Sequence, residues 1–310
     1  MKYLVFVIVI LLSTAGLYSQ EDTVSKDIKI TPLVYGTLLT PKTESNTLVI
    51  IVGGSGPIDR DGNQQMMRNN SLKMVAQGLA EEGIASFRYD KRIITLLRQG
   101  GLQEKKLSFD YFIEDAVAVV RHFKRKRTYD KIYVLGHSQG SLVGMKAASK
   151  VKADGFISLA GVGQSIDKVI VNQVGLQMPQ LKDDTLEAFS TLKEKGRVKD
   201  FNPVLNSILR NDTQPFMLSW MKYNPAKEIA RMKMPTLIIN GTNDIQVDTQ
   251  EAQILKDALP SARLEIIKSM NHVLKTVSDD DLENAKTYND TTLPLATELI
   301  PIIKDFIQNQ

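Results

Sequence analysis

Cysteine is absent from the 310 residues. Its absence excludes disulfides, thiolate metal sites and a cysteine nucleophile, and it suits a protein exported to a cell envelope, where a stray thiol would oxidise. Histidine is scarce, with three copies, so chemistry that needs an imidazole has few places to sit. Neither sign of charge dominates: 39 lysines and arginines face 35 carboxylates, for a formal charge of +4. No basic stripe alternates with aromatic residues, which argues against a nucleic-acid partner. There is no internal repeat and no low-complexity tract. The acidic run Asp279-Asp280-Asp281 lacks the spaced ligands and turn glycine of a calcium loop, and no metal or organic cofactor is expected.

Hydrophobic residues make up 43% of the chain and charged residues 24%, the balance of a soluble globular protein with a sizeable core. The length allows one large domain, or one domain carrying an insertion. Met1-Lys2 followed by the apolar run Leu4 to Leu12 reads as a signal peptide over residues 1–20, with a cleavage point near Ser19 and Gln20. The apolar stretch ends near Leu17, short of the ~20 residues that a spanning helix needs. The alternative is an uncleaved N-terminal anchor. The mature protein is expected to be exported, secreted or held in a bacterial periplasm, with no stable membrane insertion after signal cleavage.

Periodicity then lays out the chain. Residues 28–30 and 33–39 suggest two antiparallel strands. Residues 47–52 form a continuous apolar run, as in a strand covered on both faces. Apolar spacing predicts helices over 70–82 and 109–123, with strands at 84–90, 132–136 and 155–160. This alternation points to a parallel sheet with right-handed crossovers and helices on both faces. Residues 163–230 break the rhythm. They are amphipathic, contain Met178, Met217 and Met221, and are punctuated by prolines, which suggests a helical cap inserted between two strands. The methionines there read as packing, or as a flexible lining for an acyl pocket. A core in two parts, 21–162 and 231–310, would flank the cap. Its second part holds strands near 235–240 and 262–267 and helices over 249–258 and 294–308.

Gly136-His137-Ser138-Gln139-Gly140 sits between a buried strand and a helix rich in small residues. A serine there occupies a sharp strand-to-helix turn, with its hydroxyl above the sheet beside a helix N-terminus. Such a hydroxyl needs a base, and the base needs a third group to hold it. His137 lies within the turn motif and is expected to face away from the pocket. His122 lies mid-helix beside the basic run Lys124 to Arg127 and reads as a surface or edge residue. His272, on the loop after the last strand, is left as the base. Asp244, at the end of the preceding strand, is the expected acid, with Asp248 as the alternative; either could instead cap a helix. The backbone N–H groups of Gln139 and Ser55 are the expected oxyanion donors. Gly54 beside Ser55 lets the backbone approach closely.

The chain order Ser138, Asp244, His272 resembles the α/β-hydrolase superfamily. The segments Gly54 to Asn63, Arg88-Tyr89-Asp90-Lys91-Arg92 and Met270 to Lys275 resemble bacterial EstD-like serine carboxylesterases. That resemblance, over roughly residues 30–305, implies an α/β-hydrolase fold: a mostly parallel central sheet covered by helices on both faces, with an inserted helical cap. It also implies hydrolysis of a small-molecule ester with a short acyl chain through an acyl-enzyme. One departure is that Ile93-Ile94-Thr95-Leu96 stands where the group carries glycines and a serine, so the loop there is expected to differ. Asp59 and Arg60, with Gly54, are candidate substrate contacts at the pocket mouth. For Asp59 and Arg60 the alternative is a salt-bridged loop. The same trio would serve a peptidase, thioesterase or acyltransferase. A catalytically inactive binding module would want a broken trio, and dehalogenase chemistry an aspartate at 138. Neither feature is present.

Overall fold

A computed structural model describes residues 23–310, so the expected signal peptide lies outside the described residues. Eight strands form one sheet: β1 (Thr23–Thr31), β2 (Val34–Pro41), β3 (Thr47–Val52), β4 (Ala85–Tyr89), β5 (Lys131–His137), β6 (Gly155–Leu159), β7 (Thr236–Gly241) and β8 (Arg263–Ile267). Their spatial order is β1-β2-β4-β3-β5-β6-β7-β8. β1 and β2 pair antiparallel, as do β2 and β4, and every other pair is parallel.

The helices are α1 (Ser71–Glu81), α2 (Arg92–Arg98), α3 (Phe109–Lys126), α4 (Gln139–Val151), α5 (Ile166–Gln177), α6 (Lys182–Lys195), α7 (Asn206–Leu209), α8 (Gln214–Met221), α9 (Pro225–Ile229), α10 (Thr249–Ala258), α11 (Asp281–Thr287) and α12 (Leu299–Gln308). The two-residue period of a strand sorts the core. Leu48, Ile50 and Val52 of β3 join Ile132 and Val134 of β5 under α3 and α4. Val49, Ile51, Tyr133 and Leu135 face the other way, under α1 and α12. The uninterrupted apolar runs follow from having helices on both faces.

Between β6 and β7 the chain runs through α5 to α9. Phe109 of α3 stacks on Trp220 of α8, with ring centroids 5.3 Å apart. Met217 and Met221 are buried in that same layer, so their role there is packing.

Two elements differ from the sequence reading, the segment 92–98 and the start of the last helix, and the acidic run gains a structural role. Residues 92–98 form a helix where a reshaped loop was expected. Asp280 caps α11 by accepting from the N–H groups of Leu282 and Glu283, which accounts for part of the acidic run. The last helix begins at Leu299, because proline is tolerated only in a first turn and Pro301 would interrupt a helix begun at 294. No helix among the described residues is long and apolar enough to cross a membrane.

Candidate active site

The turn between β5 and α4 is built by close backbone approach. A Cβ on Gly136 would lie 2.2 Å from the Gly140 carbonyl oxygen, and one on Gly140 would lie 2.3 Å from that of Val52. Only glycine fits either position. The compression leaves Ser138 at φ 54° and ψ −123°, a costly conformation for a residue with a side chain. The Ser138 N–H donates to the Leu159 carbonyl at 2.9 Å, which ties the turn to β6.

Asp244 and His272 come together from the ends of β7 and β8. His272 Nδ1 lies 2.8 Å from Asp244 Oδ2. The other carboxylate oxygen accepts from the N–H groups of Gln246 and Val247, each at 2.8 Å. The Asp244 side chain is fully shielded from solvent. Asp248 instead caps α10, accepting from Gln250 and Glu251, so the structure brings Asp244 and not the alternative to the imidazole. The His272 loop is pinned beneath by Asn271, whose side chain donates to Asn284 and Thr287 and accepts from the Lys275 N–H.

Ser138 and His272 line one cavity of about 150 Å³ with His137, Asn69, Gln246 and Tyr288. No hydrogen bond joins the Ser138 hydroxyl to His272 in this structure, a gap commonly closed only when substrate binds. His137 corrects the sequence reading. It borders this cavity, and its Nε2–H donates to the His272 carbonyl at 2.9 Å. Odd-numbered residues of β5 face the layer that holds Met270 and Leu274, and the His272 loop lies in that layer. Burial, reinforced by the neighbouring His272, pushes the His137 pKa down to about 4, so it is neutral at physiological pH. His122 lies on α3 with its ring edge-on to Phe123.

A second cavity, of about 190 Å³, opens on the other side of Ser55, which lines both. Phe112, Phe216, Trp220, Leu107 and Ile93 give it an apolar wall, and Gln139 and Lys91 reach its base. Helix α8 thus contributes two aromatic rings to the site. A Cβ on Gly54 would sit 3.2 Å from Ser138 Cβ, so the loop backbone runs against the serine.

The sequence reading gave Lys91 no role. It is 6% exposed, and its Nζ donates to the Gly54 carbonyl at 2.8 Å and to Gln139 Oε1 at 2.7 Å. It also lies 4.4 Å from the centroid of the Phe112 ring. Burial pushes its pKa down to about 7. The available signal was a lysine two residues beyond a strand that lies in the interior of the sheet, a place where a cation must find partners.

Asp59 and Arg60 line neither of these two cavities, and their partners are those of the salt-bridged loop that the sequence offered as the alternative to substrate contact. Arg60 binds Asp90 through its backbone N–H, Nε and Nη2, and reaches Asp27 and Thr37 through Nη1. Asp59 accepts from the N–H groups of Asp61 and Asn63. A guanidinium with its donors engaged in this way has little left for a ligand. Among the described residues, no group of three or more histidines and carboxylates is placed to hold a metal ion.

The sequence profile of the family described as serine aminopeptidase, S33, matches residues 68–276. Esterase EstD of Thermotoga maritima is 28% identical over 260 residues, which cover 82% of this chain. The match spans 61% of that relative's length. Among solved structures, Est1E of Butyrivibrio proteoclasticus superposes with a TM-score of 0.58 at 18% identity, covering 92% of this chain and 98% of its own. An esterase of Pyrococcus furiosus gives a TM-score of 0.55 at 17% identity, covering 93% of this chain and 91% of its own. At these identities the structural matches establish the α/β-hydrolase fold.

Proposed function

The chain belongs to the serine aminopeptidase S33 family of hydrolases, and from that premise we infer that it is a serine carboxylesterase. Ser138 attacks the ester carbonyl while His272 Nε2 takes its proton. Asp244 holds the ring so that Nδ1 carries a hydrogen and Nε2 is free to accept, and it stabilises the imidazolium. The tetrahedral oxyanion is held by the N–H groups of Ser55 and Gln139. His272 then gives its proton to the departing alcohol, and water repeats the cycle on the acyl-enzyme. The observation that carries this reading is the Asp244–His272 pair opening onto the cavity that holds Ser138 at its strained turn.

Because His272 must protonate the leaving oxygen, the alcohol belongs on the His272 side, among Asn69, Gln246 and Tyr288. The acyl chain then takes the apolar cavity under Phe216 and Trp220, whose size favours short acyl groups. The lining also supports an esterase over an aminopeptidase. An amine terminus calls for a free carboxylate, yet the carboxylate at the apolar cavity, Glu104, is paired with Arg210. Export through the N-terminal segment belongs to the same proposal.

The test is labelling by a fluorophosphonate probe together with turnover of nitrophenyl esters of increasing acyl length. Labelling should vanish in Ser138→Ala, and turnover should favour two to four carbons over eight. Equal labelling of the variant, or faster turnover of aminoacyl arylamides than of esters, would defeat the reading.

A further inference from the structure

We propose that Lys91 is the positioning residue of the oxyanion hole, setting both backbone donors with one ammonium group. This rests on the esterase reading above. The Gly54 carbonyl and the Ser55 N–H belong to one peptide group. That group is planar, and no cis bond occurs among the described residues. Holding the carbonyl at 2.8 Å from Nζ therefore fixes the direction of the N–H on its opposite edge. The same contact polarises the peptide and strengthens that N–H as a donor. The second bond, at 2.7 Å, fixes the Gln139 side chain and so the first residue of α4, whose N–H is the other donor. One cation thus links the loop after β3 to the turn after β5, which are remote in sequence. The Phe112 ring face receives the remaining side of the ammonium, so Lys91 is fully engaged and has no bond left for substrate.

Other charges do not displace it. Asp115 of α3, with Tyr89, borders a small cavity beside Lys91, but Asp115 is held by Arg92 at 2.7 and 2.8 Å. Glu104, across the apolar cavity, is held by Arg210. His137 is neutral. Lys91 thus supplies uncompensated positive charge behind the site where negative charge develops. With its pKa lowered to about 7, that charge is present below neutrality and is lost as pH rises past it.

The test compares Lys91→Met and Gln139→Ala with the wild type on a short-chain ester. Losing one oxyanion donor costs about 10²–10³ in kcat, so disturbing both from behind should cost Lys91→Met about 10²-fold in kcat with KM within about threefold. Its alkaline limb near pH 7 should disappear. Gln139→Ala keeps its backbone N–H and loses one of the two tethers. It should show a smaller kcat loss and keep the limb. Folding is checked by thermal melting, and methionine beside Phe112 is expected to preserve it. A folded Lys91→Met with kcat within threefold of wild type, or with the alkaline limb intact, overturns the proposal. Fluorophosphonate labelling separates the two readings: an unlabelled wild type defeats the esterase assignment, whereas a labelled wild type with an unaffected Lys91→Met defeats only the role of Lys91.

Discussion

Asp244→Asn tests the site at its most constrained point. An asparagine can place its amide nitrogen where either carboxylate oxygen lies. At the Oδ1 position it would face the N–H groups of Gln246 and Val247, both now 2.8 Å from an acceptor. Two donors would then meet a donor, at about 1–3 kcal/mol for each unsatisfied group. The amide oxygen must therefore stay on that side, and the nitrogen must face His272 Nδ1. Against a donor, Nδ1 has to accept, so the ring proton moves to Nε2, the atom that must take the serine proton. A triad in the wrong tautomer loses about 10⁴-fold in kcat, or about 5 kcal/mol. Stability should change little, because both backbone bonds survive.

The assay is ester turnover at neutral pH, with nitrogen-15 NMR of the imidazole to report the tautomer. A loss below tenfold would refute this reasoning, and so would a ring still protonated at Nδ1.

Gly54→Ala should lower kcat about tenfold, since its methyl would press on Ser138 Cβ at 3.2 Å and His137 Nδ1 at 3.3 Å, and misplacement near 1 Å costs about 10²; unchanged steady-state kinetics would count against that contact. His137 makes unfolding free energy pH-dependent: between its ordinary 6.5 and about 4 the unfolded chain binds a proton that the folded chain does not. Stability therefore falls as pH drops through that window, by up to about 3 kcal/mol, and is independent of this group above it. Urea titrations should show a shallower fall in His137→Gln, and identical slopes would refute the assignment. Arg60→Met leaves the Asp90 carboxylate, 3% exposed, with the backbone N–H of residue 60 at 2.9 Å and Arg98 at 3.4 Å as its remaining partners, so the cost by denaturant unfolding should fall below the ~3–5 kcal/mol of a fully unpaired buried charge, at about 1–3 kcal/mol; no measurable cost would mean that the surrounding loop does not depend on the pair.

Much of this arrangement is legible in the sequence because it rests on local patterns. The run from Thr47 to Val52 has no alternation because helices cover both its faces. The strand–Ser138–helix turn announces itself through its glycines, and three histidines made His272 an inference by elimination. Asp244 could be placed at a strand end, but only coordinates separate it from Asp248, since both residues accept backbone N–H groups in the same way. What the sequence left open or missed involves contacts between distant segments. Arg60 answers to Asp90, 30 residues away, and Lys91 to Gly54 and Gln139, 37 and 48 residues away. A charged pair such as Asp59-Arg60 looks the same in sequence whether it grips a substrate or a neighbouring strand.

The three residues after β4 show why a charged triplet occupies that place. Asp90 grips the loop through Arg60. Lys91 holds the loop carbonyl of Gly54 and the side chain of Gln139 at the head of α4. Arg92 begins α2 and forks onto Asp115 of α3 with two bonds. Each side chain therefore anchors a different element around the cavity edge, and successive residues along an extended segment leaving a sheet naturally point in different directions. Buried charges of this kind add little net stability compared with well-packed apolar groups. Their value here is geometric, since an apolar triplet could fill the same space without setting the direction of a peptide group. On the proposed mechanism the oxyanion hole is made of backbone donors and has no side chains of its own to aim it; Lys91 would supply that aim, while Asp90 and Arg92 hold the elements on either side of it.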